Sequence, residues 1–123
     1  MKFAEDHNDA QYKITAYDAQ GIYINGRLFE RSVLLSPMNI IDDWKPKIFT
    51  ELKAEHLDSF YALKPEVIIL GTGSKQTFPD AEILRRLTQE KTGFEIMDTQ
   101  AACRTFNIIM AEGRNVVAGF FIS

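Results

Sequence analysis

The sequence predicts an α/β layer sandwich built on a mixed sheet. The first third is rich in β-formers broken by turn residues, among them the Asn25-Gly26 pair. A continuous apolar run, Val67–Leu70 (VIIL), stands directly before Gly71, the pattern of a strand covered on both faces. From there to the last residues helical and strand patterns alternate, as in α/β layers.

Tyr12–Asp18 (YKITAYD) reads as the first strand, Ala19-Gln20-Gly21 as a turn and Ile22-Tyr23-Ile24 as the second strand. Asn25-Gly26 accepts positive φ at both central turn positions. Leu28-Phe29 and Val33-Leu34-Leu35 then complete an antiparallel meander that Ser36-Pro37 ends. Met38–Lys47 reads as a loop containing Trp44, and Ile48–Leu52 as a short strand. Ala54–Leu63 carries a helical apolar stripe, which Pro65 stops because its ring and missing N–H cannot continue a helix.

After the VIIL strand, a helix is expected from near Thr77, capped by its hydroxyl with Asp80 reaching back. Ile83, Leu84 and Leu87 form its inner face and Gly93 its C-terminal cap. Glu82 and Arg86 are spaced as a surface pair on that helix. Phe94–Met97 is a short strand. Asp98 or Thr99 caps a third helix with Ala102, Phe106, Ile109 and Met110 inward, closed by Gly113. Val116–Ile122 is the last strand.

The chain has 123 residues, 14 basic and 17 acidic, for a net charge of −3. That length suits one domain, residues 12–123, behind a polar, flexible N-terminus over 1–11. The mild acidity argues against a nonspecific nucleic-acid binder. Nothing approaches a membrane-spanning run of about 18 apolar residues. One cysteine excludes an internal disulfide framework and fits a reducing compartment. The two histidines and the cysteine are scattered without metal-ligand spacing, so neither a metal nor another cofactor is expected.

Two segments can carry chemistry. Gly71-Thr72-Gly73, with Ser74 and Lys75, follows a strand and precedes a helix, where glycine lets backbone N–H groups approach an anion. It completes neither GxGxxG nor a P-loop, and a tight strand-to-helix turn uses the same residues. The second segment is Asp98-Thr99 with Cys103, Arg104 and Asn107. Asp98 can cap the helix or hold Arg104. Cys103 lies about one turn in, where the dipole lowers a thiol pKa modestly, yet no base adjoins it and a buried, inert thiol is expected. Asn107 stands among Phe106 and Ile108 and needs partners if buried. A right-handed crossover from the Val67 strand to the Phe94 strand puts both loops at one sheet edge. The two segments are therefore expected to wall one pocket, with Lys75 and Arg104 as its cations.

The segments Pro65–Gly73 (PEVIILGTG) and Met97–Ala118 (MDTxxACRTFNxxxxEGRxVxA) together resemble a small α/β domain family. It includes the mitochondrial complex I assembly factor 3 proteins, the adipogenesis-associated domain proteins and many single-domain bacterial and archaeal proteins. The resemblance runs over nearly the whole chain from about residue 12. It implies a three-layer fold around a five-stranded mixed sheet with the hairpin strands on one side, and it implies no established catalytic residues, the family having no settled enzymatic activity. The chain differs from the mitochondrial members in showing no transit peptide, so a bacterial-type cytoplasmic protein is expected.

The leading functional expectation is a non-catalytic protein-interaction or assembly module. The alternative is an anionic small-molecule binder or hydrolytic enzyme using the pocket above, and the third is a structural domain of an oligomer. A homodimer is expected from the meander's edge and the loop aromatic Trp44.

Overall fold

A computed structural model of the chain describes residues 11–122. The expectation for residues 1–11 therefore falls, apart from Gln11, outside the described residues.

The described residues form two sheets. β1 (Ile14–Asp18), β2 (Gly21–Ile24) and β3 (Arg27–Phe29) form an antiparallel sheet in that order. β4 (Val33–Ser36), β5 (Asn39–Ile41), β6 (Val67–Gly71), β7 (Gly93–Met97) and β8 (Val116–Phe120) form a mixed sheet in the order β5-β4-β8-β6-β7. β6 runs parallel to both β7 and β8, whereas β4 is antiparallel to β5 and β8. Among the described residues three α-helices pack with these sheets: α1 (Leu57–Ala62), α2 (Ala81–Gln89) and α3 (Thr99–Ala111).

Alternation along β4, β6 and β8 divides the core, since successive strand residues face opposite sides. Val33, Leu35, Val67, Ile69, Val116, Ala118 and Phe120 pack beneath α3 and the three-stranded sheet. Leu34, Ile68, Leu70 and Val117 face α1, α2 and the segment that carries Trp44. The result is three layers around a five-stranded mixed sheet, as the resemblance implies, with the hairpin strands on one side.

The Asn25-Gly26 turn forms as expected, with φ of 49° and 86°. The meander, however, ends at β3. β4 is buried at all four positions and so requires cover on both faces, which the middle of the larger sheet provides. Ser32 marks the departure, its hydroxyl donating to the Pro46 carbonyl at 2.5 Å. The expected loop at Met38–Lys47 begins as a strand, for Pro37-Met38 turns β4 back into β5 with Ser36 opposite Asn39.

Ile48–Leu52 is a 3-10 turn over Phe49–Glu51 rather than a strand. Phe49 and Leu52, three apart, both reach the core, a spacing that a strand would place on opposite faces. α2 starts at Ala81, four residues after Thr77, because Pro79 disfavours helical backbone at Phe78. Asp80 is its N-cap and accepts from the Ile83 N–H at 3.1 Å. The helix ends at an extended Glu90, and Gly93 opens β7 instead of capping. Arg86 does not pair with Glu82. It binds the Asp58 carboxylate at 2.7 Å and donates to the Ala54 carbonyl at 2.8 Å, tying α2 to α1.

Trp44 belongs to the core. It is 8% exposed, stacks edge-on against Phe60 at 5.4 Å and lies 5.2 Å from Phe121. Gly119 makes room for it, since a Cβ there would stand 2.7 Å from both the Trp44 and Phe60 rings. The aromatic on which the homodimer expectation leaned is thus occupied within its own chain.

Candidate functional site

β6 and β7 pair in parallel with Gly71 opposite Met97, so their C-terminal loops are neighbours at one sheet edge. The two loops are closed upon each other. The Thr72 N–H donates to the Met97 carbonyl at 2.9 Å, and the Thr99 N–H to the Gly73 carbonyl at 2.8 Å. Thr99 is fully buried, and its hydroxyl accepts from the Gly73 N–H at 2.8 Å while donating to the Phe121 carbonyl at 2.5 Å. Asp98 caps α3 by accepting from the Ala101 N–H at 2.8 Å. The backbone donors expected to face an anion at Gly73 and Thr99 are therefore engaged inside the protein. Thr99 joins three strand ends, which its position beside a cap did not announce.

The remaining predicted residues separate into two clefts. Thr72, Ser74 and Lys75 line a groove of about 250 Å³ with Ile48, Phe49, Thr50 and Thr77. Within it the Thr72 hydroxyl donates to the Lys75 carbonyl at 2.5 Å and accepts from the Thr77 N–H at 3.2 Å, which fixes the loop's path. Cys103, Arg104 and Asn107 line a different cleft of about 240 Å³, together with Gln100 and Ile14–Tyr17. Lys75 and Arg104 thus serve separate depressions.

The second cleft joins α3 to β1. Asn107 finds the partners a half-buried amide requires: its Oδ1 accepts from the Ile14 N–H at 2.9 Å and its Nδ2 donates to the Ile14 carbonyl at 2.7 Å. Burial pushes the Cys103 thiol up to about 12, an effect that nearby Arg104 only partly offsets. Desolvation thus outweighs the helix-dipole lowering expected from sequence. Burial, with Cys103 and Asp98 nearby, likewise raises the Tyr17 phenol. Gln100 and the strand residues of this cleft were missed by sequence reading. Gln100 stands one turn before Arg104, but its nearness to β1 depends on a pairing 93 residues apart.

A further groove of about 490 Å³ includes Asp43, Glu55, His56 and Asp58. Two of its polar groups already serve the fold, Asp58 holding Arg86 and His56 Nδ1 accepting from the Lys53 N–H at 2.9 Å.

A family model described as protein of unknown function (DUF498/DUF598) matches residues 14–121. The chain belongs to that family. It is 35% identical over 108 residues to NADH dehydrogenase (ubiquinone) 1 alpha subcomplex assembly factor 3 of Danio rerio. That match covers 85% of this chain but only 61% of the zebrafish protein. It is 31% identical over 102 residues to the 13 kDa major membrane protein of Francisella tularensis subsp. holarctica, covering 76% of this chain and 82% of that one. The crystal structure of a protein from Bordetella parapertussis superposes with a TM-score of 0.85 at 35% identity, covering 93% of this chain and 98% of the other. Among the described residues no helix is long and apolar enough to cross a membrane.

Proposed function

We propose that the chain is a protein-interaction or assembly module that acts through a protein partner. The observation that carries this reading is its 35% identity to an assembly factor over 108 residues, 85% of this chain. The site geometry supports it. A thiol with its pKa near 12 is almost wholly protonated at neutral pH and makes a weak nucleophile. The Gly73 and Thr99 backbone donors, which an anion-binding or hydrolytic site would use, are satisfied internally. The module is proposed to work in the cytoplasm, a placement that fractionation of source cells tests directly.

Affinity purification of the tagged chain at native expression, quantified by mass spectrometry against a tag-only control, tests the reading. Enrichment of one or a few proteins at stoichiometric abundance is expected. A chain that enriches only a metabolite supports the binding or hydrolytic alternative instead.

A further inference from the structure

We infer that the cleft between the outer edge of β1 and the Gln100–Asn107 stretch of α3 receives an extended segment of a partner protein bearing a carboxylate side chain. The inference rests on the interaction-module reading and names the chemistry its partner presents. Among the described residues β1 lies at the end of its sheet and pairs only with β2. Its other edge meets Asn107, whose amide gives Ile14 the same donor and acceptor that a neighbouring strand would. Beyond Ile14 the cleft opens, with Thr15 and Ala16 exposed. A strand edge in that condition is a template for main-chain pairing. The register shift between Ile14 and Ala16 interrupts the ladder, so the added pairing is short and the side-chain contact must supply selectivity.

Arg104 supplies it. The guanidinium is exposed on the cleft wall and has no ion-pair partner among the described residues. Asp98, the acid before it in the helix, gives its carboxylate oxygen to the Ala101 N–H. Cys103 stays uncharged at neutral pH and so does not compete for the cation. One turn beyond Arg104, Ile108 is 61% exposed and offers an apolar contact beside the charge. Edge backbone, a cation unpaired among the described residues and an adjacent exposed aliphatic residue together fit an extended acidic segment better than a lone small anion, which would use only the cation.

The full isotope-labelled chain can be titrated with the acetylated, amidated pentapeptide Thr-Val-Asp-Val-Thr and with its Lys counterpart, followed by amide chemical shifts. Shifts confined to Thr15–Tyr17 and Gln100–Asn107 are expected with the Asp peptide. N-methylation of the peptide backbone should abolish them. Arg104→Glu should weaken the Asp peptide at least about fivefold and favour the Lys peptide instead. Arg104 is exposed, so this variant leaves the core intact. Equal binding of the Asp and Lys peptides, shifts elsewhere, or no shifts at millimolar peptide would overturn the assignment. Affinity purification with both chains separates the two readings. A partner held equally by parent and Arg104→Glu removes the cleft and leaves the module, whereas no partner on either chain removes the module reading itself.

Discussion

Replacing Thr99 by valine keeps the shape of the side chain and removes its hydroxyl. In the parent that hydroxyl accepts from the Gly73 N–H at 2.8 Å and donates to the Phe121 carbonyl at 2.5 Å, in a site with no solvent exposure. Gly73 and Phe121 are buried as well, so water cannot replace the lost partner at either group. A buried backbone group left unsatisfied costs about 1–3 kcal/mol, so two together cost about 3 kcal/mol. Against a typical stability of about 5–15 kcal/mol this is a large fraction. It corresponds to a fall in Tm of about 10 °C for a domain of this size. Thr99→Ser keeps the hydroxyl and loses one methyl group, for a cost of about 1 kcal/mol. Urea unfolding followed by the fluorescence of Trp44, the chain's one tryptophan, measures both variants. A valine variant within about 1 kcal/mol of the parent would refute the claim that Thr99 seals the two loops. So would a serine variant at least as damaging as valine.

Three further outcomes follow from the packing. Native Cys103 should label slowly with a thiol reagent and rapidly in denaturant; its pKa is raised in the fold, so its contribution to stability is present below about pH 9 and is lost as pH rises toward 12. The alkaline fall in stability should therefore be shallower in Cys103→Ala, although the raised Tyr17 and Tyr61 phenols continue the decline above pH 10 in both chains. Asn107→Leu removes both bonds to Ile14 and should cost about 1–2 kcal/mol, with faster hydrogen exchange concentrated in β1. Gly119→Ala drives a methyl group against Trp44 and Phe60 and should destabilise by about 1–3 kcal/mol with a red-shifted Trp44 emission.

The features legible in the sequence are those set by neighbouring residues. The VIIL run shows that β6 is covered on both faces, Asn25-Gly26 dictates its own turn, and α3 begins directly after Asp98 because an aspartate there accepts from the N–H three residues on. Pro79 was equally visible, and its effect on Phe78 explains why α2 begins late. What escaped depends on distant partners. β4 joins β8 across more than eighty residues, so nothing local separates it from the preceding hairpin. Trp44 reads as a loop aromatic until Gly119 is seen to vacate the space it fills. At the candidate site, topology correctly made the Gly71–Gly73 and Asp98–Thr99 loops neighbours. The Thr99 hydroxyl then closes the crevice between them, and a threonine after a capping aspartate gives no sign of that.

Native mass spectrometry of the tagged chain, recovered from source cells at native expression, is the sharpest test of whether it works through a protein partner. The expected result is a stoichiometric complex in which the 14.0 kDa chain is joined by at least one different polypeptide, released as a separate mass on collisional activation. A lone chain at its own mass, with or without a small bound molecule, would contradict that reading.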